Sequence, residues 1–208
     1  MNYLKQIYLI VSWAVFGVSY TLFLDFANAQ KSDLTPSHIS SLLSLGIKIA
    51  IPSYVPPGFT VTEVKIEPCP PEAPRTTNNT CRFGPQYGII YQNTDNACFA
   101  IEGTGGGIGG VAYEYVFPVE TALFGEVYIQ FGEFLGEAKK PSEQQLKYAQ
   151  NNLFMDWEGD GPFYRFIGAD FIRSTYYGEK KSHLVSECKN DITPAEATKI
   201  VQSLEWLN

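Results

Sequence analysis

The chain has 208 residues, 45% of them hydrophobic and 18% charged, and a formal net charge of −7. That length and apolar content suffice to bury one sizeable core. An acidic chain without a basic cluster argues against nucleic acid or an anionic membrane surface as partner, since both recognise clustered cations.

The first element in chain order is a secretory signal. One cation, Lys5, precedes an apolar run over residues 7–26, which ends in Ala27-Asn28-Ala29 before Gln30. Small residues on either side of Asn28 suit a signal peptidase, so cleavage is expected between Ala29 and Gln30. Residues 1–29 are then a signal peptide and 30–208 a single β-rich globular domain. Lys5 and Asp25 cancel, so the mature chain keeps its charge of −7. The rival reading is an uncleaved anchor, because the apolar run approaches the roughly 20 residues that cross a bilayer. Asp25 argues against spanning, a carboxylate in lipid being costly. Either way the body of the chain lies outside the cytoplasm, in periplasm, thylakoid lumen or the cell exterior. Membrane association follows only if the segment stays uncleaved.

Next comes a short helix. Thr35 offers an N-cap and Pro36 the first helical position, with Ile39, Leu42, Leu43 and Leu45 as an apolar stripe and Gly46 as a stop. Residues 51–59 hold three prolines, which remove ladder donors and exclude helix and central strand. Strands are expected at 59–66, 87–92, 97–102, 111–119, 127–134, 153–157, 163–167 and 171–177. Alternation is visible in Tyr87, Ile89, Tyr91, then Ala97, Phe99, Ile101, then Tyr113, Tyr115, Phe117, then Val127, Ile129, Phe131. A short helix over 142–149, capped by Ser142, interrupts them. Thr193-Pro194-Ala195-Glu196 reads as a capping box opening a last helix, whose apolar face is Ala197, Ile200, Val201, Leu204 and Leu207. Short strands with Gly and Pro turns and few helices predict an α+β fold. Its curved, half-barrel-like antiparallel sheet is packed by an N-terminal and a C-terminal helix.

All four cysteines, Cys69, Cys81, Cys98 and Cys188, follow the expected cut, and none forms a close C-x-x-C pair. In an exported domain that pattern indicates disulfides rather than a metal site. Three connectivities are possible. Cys69 and Cys81 flank a Pro-, Asn- and Thr-rich loop that folds back cheaply, which leaves Cys98 for Cys188.

Chemistry-bearing motifs are sparse. Gly105 to Gly110 spell G-x-G-x-x-G, but a strand rather than a helix is expected after them, so a hairpin loop is the reading and no nucleotide site follows. Asp156-Trp157-Glu158-Gly159-Asp160-Gly161 imitates the start of a calcium loop, yet Ile167 stands where the bidentate glutamate belongs. A polar hairpin turn explains the same residues. The two histidines, His38 and His183, lie in no nucleophile motif. Glu133 with Glu137, or Asp156 with Asp160, are carboxylate pairs without a geometry to assign them acid and base roles. Asn78-Asn79-Thr80 forms a glycosylation sequon, relevant only to a eukaryotic secretory route. No catalytic residue, cofactor or metal ligand is assigned. Of the 23 aromatic residues after Ala29, all but Tyr54, Phe59 and Trp206 fall between positions 83 and 177. They read first as sheet core, and second as the lining of an apolar groove.

The order of these pieces resembles a large bacterial family of extracytoplasmic domains of unknown function. Tyr54-Val55-Pro56-Pro57-Gly58-Phe59 is similar to that family's Y-x-P-x-G-F opening, and Tyr87-Gly88-Ile89-Ile90-Tyr91 to its Y-x-I-x-Y strand. Residues 157–164 resemble its W-x(n)-Y hairpin and residues 193–204 its closing helix. The cysteines and the Gly-rich loop depart from the general pattern and resemble an uncharacterised cyanobacterial-type branch. The resemblance implies a curved antiparallel sheet with packed helices, distantly like periplasmic lipoprotein carriers, and transfers no catalytic residue. The expected function is non-enzymatic: binding of a protein or hydrophobic small-molecule partner. The alternatives are a carrier or sensor of a hydrophobic ligand in a half-barrel groove, and a hydrolase.

Overall fold

The computed structural model describes residues 33–74, 86–104, 113–133, 137–150, 152–157, 162–176, 187–190 and 192–208. The signal segment with Ala29 and Gln30, the sequon at Asn78, Cys81, the glycines 105–110, residues 158–161 and His183 lie outside them. Among the described residues no helix is long and apolar enough to cross a membrane.

The fold is α+β. An open, curved antiparallel sheet of seven strands has the order β2-β3-β4-β8-β7-β6-β5, and β1 and β9 form a separate two-stranded ribbon. The strands are β1 Ala50–Pro52, β2 Thr60–Glu67, β3 Gln86–Gln92, β4 Cys98–Thr104, β5 Tyr115–Thr121, β6 Gly125–Phe131, β7 Phe154–Trp157, β8 Phe163–Ile167 and β9 Leu204–Trp206. The helices are α1 Pro36–Leu43, α2 Ala169–Tyr176 and α3 Pro194–Gln202.

One face of the sheet packs against α1, α3 and the ribbon. Alternation puts Tyr87, Ile89 and Tyr91 of β3, Phe99 and Ile101 of β4, Val127, Ile129 and Phe131 of β6 and Phe166 of β8 on this face, all buried with Leu42, Ile200 and Val201 from the helices. Tyr91 stacks on its register partner Phe99 at 4.7 Å between centroids, and Phe99 on Phe166 at 5.6 Å. These aromatics fill the core. On the opposite face Ile90, Ala100, Phe154 and Ile167 are covered by Ala169 and Ile172 of α2 and by the Cys98–Cys188 disulfide. Every residue of β4 is buried as a result. A central strand covered on both faces reads as a continuous apolar run, and Cys98-Phe99-Ala100-Ile101 is one.

The ribbon is fastened to the sheet by two tyrosines. The Tyr87 hydroxyl accepts from the Ala50 N–H at 2.8 Å and donates to the Ala50 carbonyl at 3.3 Å, and the Tyr164 hydroxyl donates to the Lys48 carbonyl at 2.8 Å. Burial pushes both phenols well up from their ordinary value.

Four expectations need correction. Of the strand expected over 171–177, the described residues 171–176 are helix: Ala169 and Ile172 are buried three apart, and Asp170 pairs with Arg173 at the same spacing. The helix expected over 142–149 shrinks to a 3-10 turn at Gln145–Lys147, although Ser142 does accept from the Gln145 N–H. The last helix stops at Gln202. Leu204 belongs to β9, because pairing with β1 (Ala50 opposite Trp206) competes successfully with further helix. Tyr113 leaves the alternation of Tyr115 and Phe117 and packs on the opposite face, with Phe154 and Phe171, since β5 begins only at Tyr115. Thr193 caps the last helix as expected, accepting from the Glu196 N–H at 3.1 Å. The Glu196 carboxylate also accepts from the Tyr54 hydroxyl and from Lys199. Burial, then that hydrogen bond and the Glu196 charge, push Tyr54 up to about 12.

Candidate interaction site

At one end of β5 and β6 an open cleft of about 430 Å³ is lined by Glu114, Tyr115, Gly132, Glu133, Asn152 and Asp170, together with Gln150. Backbone pairing builds it. Tyr115 stands opposite Phe131, and just beyond that pair the Glu114 N–H donates to the Glu133 carbonyl at 2.7 Å, which prolongs the hairpin past the named strands. Gly132 then turns the chain with φ +93°, and a Cβ there would meet Tyr115 Cδ2 at 3.0 Å, so glycine serves both conformation and space. The Asn152 side chain clamps this turn: its Oδ1 accepts from the Gly132 N–H at 3.1 Å and its Nδ2 donates to the Gly132 carbonyl. Asp170 enters from the first turn of α2, where a carboxylate favours the helix dipole.

The cleft is polar and acidic. Glu114 faces Lys139 at 3.6 Å, and Asp170 is paired with Arg173. Lys139 is fixed by a parallel bridge to Tyr115: its N–H donates to the Glu114 carbonyl at 2.6 Å, and its carbonyl accepts from the Val116 N–H at 3.0 Å. Carboxylate and carboxamide oxygens at an open rim can accept hydrogen bonds from a cationic or amide-bearing group. Among the described residues no group of three or more His, Cys, Asp or Glu is placed to hold a metal ion.

The structure brings together some of the residues singled out by sequence and separates others. Cys98 and Cys188 are bonded, with Cα atoms 5.5 Å apart. Their bond ties β4 to a segment that also runs parallel to the chain at Ala97, the Lys189 N–H donating to the Asn96 carbonyl at 2.7 Å. Cys69 is disulfide-bonded too, while Cys81, its expected partner, lies outside the described residues. Gly103 lies within β4, opposite Tyr87 of β3. Asp156 and Trp157 belong to β7. Glu133 lines the cleft, and Glu137 is exposed. His38 sits on α1, its N–H donating to the Thr35 side chain.

Sequence reading missed Glu114, Asn152 and Asp170, which come from three separate stretches of the chain, and it missed the ion pair Glu102–Arg165. Glu102 and Arg165 are opposite each other in the β4–β8 register, with Arg165 Nη2 to Glu102 Oε2 at 2.7 Å and the Glu102 side chain only 4% exposed. A signal existed: Glu102 shares the phase of Cys98 and Ala100 in a strand apolar on both faces, so its charge needed a partner across the sheet.

Comparison with protein-family models, with curated proteins and with solved structures finds no match to this chain.

Proposed function

We propose that the chain is an exported, non-enzymatic interaction domain that binds a protein partner through its surface, the acidic cleft being the candidate contact. One observation carries the reading. The sheet face on which a carrier's groove would lie is filled by its own side chains: Tyr91, Phe99 and Phe166 stack in series and are at most 4% exposed. Buried aromatic stacks stabilise a core, whereas a ligand pocket keeps apolar surface in a concavity. The cleft on the surface is open and polar instead.

The buried Cys98–Cys188 disulfide supports a place outside the reducing cytoplasm. The Ala27-Asn28-Ala29 site supports arrival there by signal cleavage before Gln30. The resemblance to the bacterial extracytoplasmic family is kept as part of this proposal, supported by the agreement in sheet type. Mass spectrometry of protein purified without detergent tests the reading. Absence of lipid or pigment fits it, and stoichiometric apolar ligand favours the carrier alternative. Turnover that vanishes when His38 or His183 is replaced would sink the non-enzymatic reading.

A further inference from the structure

We propose that the outward face of the β5–β6 hairpin, formed by Pro118, Glu120, Glu126 and Tyr128, docks an arginine side chain presented by a partner protein. The proposal rests on the reading of the chain as an interaction domain. It shares no residue with the acidic cleft, so either surface can fail alone.

Tyr128 is 46% exposed, and among the described residues it is the one large apolar side chain of a strand so placed. The register sets Pro118 opposite Tyr128 and Glu120 opposite Glu126. Alternation puts all four on one face, where each is exposed, while Val119, Val127 and Ile129 point into the core. Like charges directly opposite each other weaken a sheet. Among the described residues neither Glu120 nor Glu126 joins an ion pair. The Tyr128 hydroxyl donates to Glu126 at 2.5 Å. That bond first, then the Glu126 charge, desolvation and the Glu120 charge, push the Tyr128 phenol up, so both carboxylates act at one hydroxyl. Protection of an edge strand accounts for Pro118 and Glu120 on β5. It does not account for Glu126 and Tyr128, because β6 lies inside the sheet.

Charge selects a cation, and geometry selects arginine. Directly opposed side chains stand about 5 Å apart at Cβ, a span that one guanidinium can bridge with its fork of donors. Its flat face can also stack on the neighbouring tyrosine ring, which the compact ammonium of lysine does less well. The platform is already ordered. Thr121 closes the turn, its hydroxyl donating to the Gly125 carbonyl at 2.9 Å and accepting from the Phe124 N–H at 3.0 Å. Phe124 anchors that turn by stacking on Trp157 and Tyr164, at 5.1 and 5.2 Å between centroids. A rigid platform spares the partner part of the ordering cost of binding.

Titration of the purified chain with a blocked glycine–arginine–glycine tripeptide, and with its lysine counterpart, tests the site by two-dimensional NMR. The arginine peptide should shift the amides of residues 119–128 saturably, bind more tightly than the lysine peptide and weaken with added salt. Glu120→Gln, Glu126→Gln and Tyr128→Ala should each lower its affinity by about two- to fivefold. Glu126→Gln keeps an acceptor for Tyr128, so its effect reports the charge. Glu72→Gln removes the same charge from an exposed residue outside this face and should leave the affinity unchanged. Circular dichroism confirms that each variant is folded. Absence of saturable shifts, equal affinity for the two peptides, or a loss in Glu72→Gln equal to that in Glu120→Gln overturns the proposal. Shifts confined to Glu114, Glu133 and Asp170 overturn it as well, and leave the acidic cleft as the contact.

Discussion

Tyr87 lies across Gly103, its register partner on β4, so closely that a Cβ on Gly103 would stand 2.3 Å from the ring's Cε1 and 2.8 Å from Cζ. The missing side chain lets the ring lie flat over the neighbouring strand and carry its hydroxyl to Ala50. Gly103, the first glycine of the Gly-rich run, therefore works as a seat for an aromatic ring and not as a phosphate cradle. Gly103→Ala should displace Tyr87 and loosen the ribbon, at a cost of about 1–3 kcal/mol typical of overpacking. A lower urea midpoint with unchanged slope would show it. A neutral effect would mean that the ring moves freely.

The two tyrosine latches should differ in worth. Tyr87→Phe leaves the buried Ala50 N–H without its acceptor and should cost about 1–3 kcal/mol. Tyr164→Phe deprives the Lys48 carbonyl of one donor at an exposed residue and should cost about 1 kcal/mol. Equilibrium denaturation of the two variants gives the comparison.

Stability should fall in alkali. The phenols of Tyr87, Tyr91 and Tyr164 have folded pKa values raised above 10.0, burial being the first cause in each. A raised pKa means that the folded state holds the proton more tightly. The associated stability is fully present below pH 10 and is lost as pH climbs through the raised folded values. Each buried phenol should subtract about 1.4 kcal/mol per pH unit in that window. Absorbance at a phenolate wavelength should show these three ionising together with unfolding.

Glu102 and Arg165 form a pair whose members depend on each other. Glu102→Gln or Arg165→Met alone should be strongly destabilising, by about 3–5 kcal/mol, because each leaves an uncompensated partner in the sheet. Replacing both by apolar residues of similar volume should recover most of the loss. A double-mutant cycle measures the coupling. Additive losses would show that the two side chains act separately.

Removing the Cys98–Cys188 bond by double serine substitution should cost about 4–5 kcal/mol on the chain-entropy view, since the residues are 90 apart in sequence. The melting temperature of this variant against the parent, both under non-reducing conditions, checks the value. Loss of the bond should loosen α2 first, because Arg173 donates to the Cys188 carbonyl.

Local pattern determined a good part of this protein. Period-two alternation in β3, β4 and β6 marked the buried face, because side chains of a strand must alternate and one set must leave water. Thr35 and Thr193, each followed by proline, marked the starts of α1 and α3 for an equally local reason: a side-chain oxygen accepts a helix N–H three residues on. Pairing Cys98 with Cys188 followed from the count of cysteines and the ease of closing the other loop. Tertiary structure decided what depends on distant partners. Leu204 and Trp206 are strand because β1 lies beside them, and α2 is helix because its Ala169 and Ile172 meet the sheet three residues apart. Glu114, Asn152 and Asp170 share a cleft only because three distant stretches of the chain fold back together, and no spacing within the sequence encodes that meeting. The aromatic strands could fill a core or line a groove with the same alternation. The packing of Phe99 between Tyr91 and Phe166 decided for the core, because ring stacking across strands depends on register, which only the assembled sheet sets.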